Sequence, residues 1–217
     1  MQKLLAEGLG TAMLLIGVVG SGIMAETLTD DIALALLANA IATGCMLYLL
    51  ITVLGPISGA HFNPAVTVAF WLRKGIDTPT AVQFITVQII CGILGVWFTH
   101  FMFDDAIFQL SEKARTGPSQ WGSEVFATFG LLLVIFGGLR SRPDAVPTLV
   151  ALYITGAYWF TSSTSFANPA VTIARAFTNT FAGIDPSHVV MFIVAQLLGV
   201  AVASLVFPVL LAPSDPD

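Results

Sequence analysis

Charged residues punctuate this sequence so sparsely that the gaps between them outline its elements. Runs free of Asp, Glu, Lys and Arg cover 8–25, 32–72, 78–103, 125–139, 145–174 and 186–214. A helix crossing a bilayer needs about 20 mostly apolar residues. The runs therefore predict spans near 4–23, 33–54, 80–103, 121–139, 146–162 and 189–211. Two runs exceed a single span, 32–72 and 145–174. In each, the surplus follows a turn-like stretch of small residues, GPISGAHF at 55–62 and TSSTSFA at 161–167. Each surplus then opens with the same five letters, Asn63-Pro64-Ala65-Val66-Thr67 and Asn168-Pro169-Ala170-Val171-Thr172.

Asn-Pro-Ala reads as a helix start. Asn is among the best N-cap residues, proline is favoured at the first helical position, and the residue before proline avoids the α region. From Asn63 to Leu72 such a helix is about 15 Å long, half of the hydrocarbon core. It cannot span. The irregular backbone before it survives at membrane depth only where it is buried in protein or lines a wet cavity.

The duplication reaches further. Glu7 and Glu124 occupy the first turns of an opening helix, each with a threonine four residues on, Thr11 and Thr128. Gln88 and Gln196 sit in the spans that follow each Asn-Pro-Ala. Three spans per repeat is odd, so the second repeat enters from the opposite side. Paired broken helices in an inverted repeat point to a site at the bilayer midplane. The reading is an all-α membrane protein with six transmembrane helices plus two re-entrant half-helices. It forms a single membrane domain over 1–217, with repeat one at about 1–105 and repeat two at about 118–213.

Composition agrees. Charged residues make up 10% of the chain and hydrophobic ones 56%, against about 25% charged in a soluble domain. That excludes a soluble enzyme, and the net charge of −5, spread over short loops, predicts no nucleic-acid partner. Glu7 interrupts the N-terminal apolar stretch, which reads as the first span and not as a leader. Cys45 and Cys91 lie in apolar runs and read as small buried hydrophobes. His61, His100 and His188 have no metal-ligand spacing, and His100 and His188 read as interfacial. No cofactor or metal is expected. With both termini cytoplasmic, Lys3, Arg73, Lys74, Arg140 and Arg142 fall inside and Lys113, Arg115 and Arg175 outside, a modest positive-inside bias that no other arrangement of six spans fits better. Glycines at 8, 10, 17, 20, 92 and 95 fit close helix packing.

The paired Asn-Pro-Ala half-helices, the HFNPAVT run after a glycine-rich loop, the Glu of the opening helices and the Gln of the closing ones resemble the aquaporin (major intrinsic protein) family over nearly the whole chain. The resemblance implies an aquaporin-like bundle whose half-helices meet at the centre of a pore for water and small neutral solutes. It also implies four such pores in a homotetramer within a lipid bilayer. It implies pore-lining carbonyls at Gly59, Ala60, His61 and Phe62 on the inner side, and at Thr164, Ser165 and Phe166 on the outer. Asn63 and Asn168 would offer side-chain N–H groups at the midplane, where two helix N-termini place about half a positive charge each. Cations would meet a barrier there. Plain N-capping is the competing reading of these asparagines. Glu7 and Glu124 either form an ion path or support the re-entrant loops by accepting their free N–H groups.

The resemblance is broken at the outer constriction. Typical members carry arginine directly after the second Asn-Pro-Ala, where this chain has Val171. Family spacing places the remaining constriction positions at Thr43, Gly156 and Ser165, giving a wide, uncharged, mildly polar ring. A subgroup of bacterial aquaporin-like channels associated with arsenic resistance is similar in having valine there, which suggests metalloid hydroxides such as arsenous acid beside glycerol and urea. Arg175, one turn later, points about 40° from Val171. It either overhangs the outer mouth or snorkels to the interface. A secondary transporter, or a structural membrane protein with a vestigial pore, are the alternatives to a channel.

Overall fold

Side-chain caps set where the helices begin. The structure is a computed structural model that describes residues 1–212; position 213, the expected end of the second repeat, lies outside them. Asp31 accepts from the N–H groups of Ala33 and Leu34, Asp77 from Thr80 and Asp185 from Ser187. Asn63 and Asn168 do the same for the two short helices. The acids that break the apolar runs are thus in part helix starts. The elements are α1 (Gln2–Leu28), α2 (Ile32–Ser58), α3 (Pro64–Leu72), α4 (Thr78–Met102), α5 (Pro118–Ser141), α6 (Val146–Phe160), α7 (Pro169–Arg175) and α8 (Pro186–Leu210). A 3₁₀ turn at Pro143–Ala145 leads into α6.

All six expected spans are helices, and both surplus segments are short helices, as the Asn-Pro-Ala reading requires. Two boundaries shift in ways that matter. Helix α2 does not stop at 54. It runs through Gly55 and Pro56 to Ser58 and closes on Gly59, whose φ of 95° gives the left-handed C-cap that glycine adopts without strain. Helix α6 ends at Phe160, because Thr161 turns extended and its hydroxyl bonds back to the Ala157 carbonyl at 2.6 Å. At 15 residues α6 is about 22 Å long. The other five spans are long and apolar enough to cross a membrane.

The widest helix contacts are α1 with α4, α1 with α2, α5 with α8, and α2 with α6. Glycine permits the closest of them. A Cβ on Gly95 would lie 2.5 Å from the Ala12 carbonyl oxygen, and one on Gly199 would lie 2.6 Å from that of Val125. The α1–α4 crossing and its counterpart α5–α8 therefore both close on backbone. Large apolar side chains such as Leu5, Leu9, Ile41, Leu94, Phe98 and Leu205 face outward, as suits a lipid-facing surface. Cys45 joins them: it is exposed, not buried as its apolar context suggested, and Cys91 is half-buried. His100 departs in the other direction. It is fully buried and bonds Thr178 Oγ1 and the Ile107 carbonyl, both at 2.9 Å, tying α4 to the outer loops.

Candidate functional site

The two segments entering the short helices have the same geometry. In the first, Gly59, Ala60 and Phe62 are left-handed, with φ of 95°, 52° and 49°; in the second, Thr164, Ser165 and Ala167 are, at 62°, 49° and 47°. For residues with a Cβ this conformation costs about 1 kcal/mol or more each. It also leaves backbone N–H groups with no helical partner. A carboxylate meets them in both halves. Glu7 accepts from Ser58 Oγ (2.6 Å), His61 N (2.9 Å), Phe62 N (2.8 Å) and Gln88 Nε2 (2.8 Å). Glu124 accepts from Ser163 Oγ (2.6 Å), Phe166 N (2.9 Å), Ala167 N (2.8 Å) and Gln196 Nε2 (2.7 Å). Both glutamates are fully buried. With four donors each, their lone pairs are engaged by the loops and leave no free edge for an ion path.

The asparagines are linked across the centre. Asn63 Nδ2 donates to the Ala167 carbonyl at 2.7 Å, and Asn168 Nδ2 donates to the Phe62 carbonyl at 2.8 Å. Their Oδ1 atoms cap Ala65 N, and Ala170 N with Val171 N. Each amide thus caps its own helix, ties itself to the opposite loop, and keeps one N–H for the space between. Pro64, Ala65, Pro169 and Ala170 are buried in the two helix starts. Ala167, which sequence reasoning did not single out, turns out to be the counterpart of Phe62.

Between the halves lies a cavity of about 200 Å³. One wall is loop: Gly59, Ala60, His61, Phe62, Asn63, Ser165, Phe166 and Asn168. The wall facing it is apolar, with Leu14, Leu47, Leu131, Ile135 and Ile154 among its members. At the outer end Thr43, Tyr158, Ser165, Val171 and Arg175 complete it. Such a passage offers hydrogen bonds on one side and no charge compensation on the other, which suits a neutral solute carrying hydroxyl or amide groups.

Two expected lining residues are absent from this wall. Gly156 is not on the cavity. Ile154 and Tyr158 are, and residues four apart share a helix face while the one between lies about 200° around. Tyr158 then reaches across, its hydroxyl 3.2 Å from Thr43 Oγ1. Thr164 also lies outside the lining. Its hydroxyl accepts from Arg115 Nη1 at 3.4 Å.

The sequence matches the family described as Major intrinsic protein over residues 1–162. It is 52% identical over 215 residues to aquaglyceroporin AqpS of Rhizobium meliloti (strain 1021), covering 99% of this chain and 92% of that protein. The chain belongs to the major intrinsic protein family. It is also 28% identical to aquaporin Z of Photorhabdus laumondii, over 84% of this chain and 87% of that one. The X-ray structure of the aquaglyceroporin from Plasmodium falciparum superposes with a TM-score of 0.74, covering 98% of this chain and 97% of that one, at 19% identity. That likeness carries the fold alone. The protein is a multi-pass membrane channel for water and small solutes and not an enzyme.

The end of the cavity that holds Thr43, Ser165 and Val171 also carries a charge. Arg175 does not snorkel. It is 2% exposed, lines the cavity, donates from Nε to the Ala182 carbonyl, and lays its guanidinium 3.5 Å from the Phe166 ring centroid. The α4–α5 loop brings two more bases. Arg115 Nε donates to the Gly183 carbonyl at 2.8 Å, and its guanidinium carbon lies 5.2 Å from the same Phe166 centroid. Lys113 Nζ donates to the Phe181 carbonyl at 2.7 Å. Burial pulls the Arg115 guanidinium down to about 10. Burial, with the fields of Arg115 and Arg175, pulls the Lys113 ammonium down to about 8. Sequence reasoning placed these bases outside but missed that they converge.

Proposed function

We propose that this chain is a passive channel that admits neutral solutes larger than water, with glycerol, urea and metalloid hydroxides such as arsenous acid as its class. It works as a homotetramer of independent pores, in a bacterial inner membrane with both termini cytoplasmic. Each pore is assembled from a repeat at about 1–105 and its inverted partner at about 118–213. The observation carrying this reading is the outer constriction. Val171 occupies the position directly after the second Asn-Pro-Ala and lines the cavity together with Ser165, Thr43 and Tyr158, the last two joined through their hydroxyls. A hydroxylated solute finds a partner on each side there without shedding a charge. The name of the relative at 52% identity, an aquaglyceroporin, supports the same class.

The loop carbonyls and the spare N–H of each asparagine give the solute one hydrogen-bonding wall. The apolar wall opposite makes bare ions expensive, and the paired helix N-termini at Asn63 and Asn168 oppose cations. Stopped-flow light scattering on proteoliposomes tests the size claim: glycerol, urea and arsenous acid should all cross faster than through empty vesicles. Val171→Arg should reduce glycerol flux far more than water flux, since arginine adds bulk and five donors at the narrowest point. Ready passage of water with exclusion of all three solutes overturns the proposal.

A further inference from the structure

Three bases meet at the outer end, and among the described residues none of them is ion-paired with an acid. Glu26 Oε2 accepts from Phe181 N at 2.8 Å, and Glu124 holds its four loop donors. Among the described residues the one ion pair is Arg142–Asp144, on the α5–α6 connection. The guanidiniums of Arg115 and Arg175 both lie against Phe166, so their carbons are closer together than the sum of 5.2 and 3.5 Å. Arg115 spends its donors on carbonyls and a hydroxyl. Arg175 does not: among the described residues neither Nη atom has a partner, Nη1 being closed off and Nη2 left open where the buried side chain borders the cavity.

A buried cationic donor edge without an acceptor is a costly arrangement. It asks for a ligand with an acceptor oxygen and a negative charge, small enough for the vestibule. A planar oxyanion matches the flat guanidinium fork, whereas a spherical halide does not. We propose that the outer vestibule is a subsite for a small, singly charged planar oxyanion, seated on the open Nη2 side of Arg175 within the positive field of Arg115 and Lys113, and that an anion held there obstructs neutral solutes. The anion stays at the mouth. Further in, the polar wall is lined by carbonyl oxygens and the other wall is apolar, so neither solvates it. This inference rests on the channel reading of the same cavity.

Nitrate is the probe, because it stays ionised and does not leak across lipid as an acid. Glycerol flux into wild-type proteoliposomes is measured while nitrate replaces chloride at constant ionic strength and pH 7. Flux should fall saturably with nitrate, about twofold when nitrate equals its dissociation constant. Lys113→Gln should raise the nitrate concentration needed several-fold, as expected for removing one unscreened charge. Arg175→Lys should abolish the difference between nitrate and chloride. Because Arg175 also holds the Ala182 carbonyl, line broadening of ¹⁵N-nitrate by wild-type protein in lipid nanodiscs gives a reading that needs no variant. Glycerol flux that is present but equal in nitrate and chloride overturns the proposal. If no solute or water flux exceeds that of empty vesicles, the channel reading fails instead, and nitrate broadening then decides the subsite by itself.

Discussion

Replacing Glu124 with glutamine keeps the shape of the side chain and removes its charge, and the four donors around it make the consequence calculable. Oε1 accepts from Ser163 Oγ and Phe166 N, and Oε2 from Ala167 N and Gln196 Nε2. A glutamine has one oxygen for two such pairs. If its oxygen takes the Oε2 place, its NH₂ faces Ser163, which can turn its hydroxyl to accept, and Phe166 N–H, which cannot. In the flipped orientation the Gln196 amide can turn its free Oε1 inward, but Ala167 N–H then meets a donor. Either way one buried backbone N–H is orphaned, at about 1–3 kcal/mol, and the surviving bonds lose their charge assistance. Glu124→Gln should therefore cost about 2–4 kcal/mol. For a chain of this size that lowers the melting temperature by about 5–15 °C. Glu124→Ala orphans all four donors and should cost more. Heating the detergent-solubilised protein and following intrinsic fluorescence or soluble oligomer measures the shift. Because Ser165 and Phe166 line the cavity, glycerol flux should fall with stability. A Glu124→Gln protein melting within 2 °C of wild type would show that the loop holds its left-handed backbone without the carboxylate, and the argument would fail.

Other substitutions probe the remaining contacts. Asn63→Asp with Asn168→Asp places negative charge at the two helix N-termini and should admit cations, so planar-bilayer recordings with no new cation current from folded protein refute the electrostatic barrier. Gly95→Ala should lower the melting temperature, because the new Cβ would meet the Ala12 backbone. Gly137→Ala, where nothing lies within 4 Å, should leave it unchanged or raise it by helix propensity. Nitrate obstruction of glycerol flux should weaken as pH rises from 7 to 9.5. Lys113 is held near 8 by burial and by Arg115 and Arg175, against the opposing field of Glu26, with Asp185 and His188 at the adjoining start of α8. It is charged below that value and neutral above it, while the guanidiniums of Arg115 and Arg175 stay charged across the window. An unchanged nitrate effect at pH 9.5 removes Lys113 from the subsite.

What the sequence made legible was everything that the duplication states twice. Glu7 with Gln88 and Glu124 with Gln196 each bracket an Asn-Pro-Ala in the same order. A repeated polar residue inside an apolar span has to satisfy something inside the protein. The loop-supporting role was therefore readable before the hydrogen bonds were seen. The left-handed backbone was not. Ala60, Phe62, Thr164, Ser165 and Ala167 carry none of the glycine that usually announces such φ values. The conformation is imposed by the carboxylate that collects the N–H groups, a tertiary cause with no local signature. Gly156 failed for a different reason. Counting back from Asn168 crosses the turn after α6, and an error of two residues there rotates the predicted side chain to the other side of the helix. Family spacing is reliable within a helix and fragile across its end.

Arg175 shows where angular reasoning stops. Four residues along α7 carry a side chain about 6 Å further and about 40° around from Val171, which places the Cβ but not the end of a long flexible chain. The guanidinium's position is fixed by partners from elsewhere, the Phe166 ring on its own re-entrant loop and the Ala182 carbonyl beyond α7. The physical result is a separation of two jobs. An arginine at position 171 would make the narrowest point and the positive charge coincide, so any solute squeezing through must also pass the charge at contact. With Val171 at the constriction and the guanidinium one turn outward, a solute meets the charge first. It meets the steric limit afterwards, among neutral hydroxyls. Size selection at Thr43, Tyr158 and Val171 can then relax to glycerol dimensions while the positive field still opposes cations at the mouth. That same outward shift exposes a donor edge to whatever acceptor arrives from outside, which is why widening the channel and acquiring an anion subsite follow from one displacement of charge.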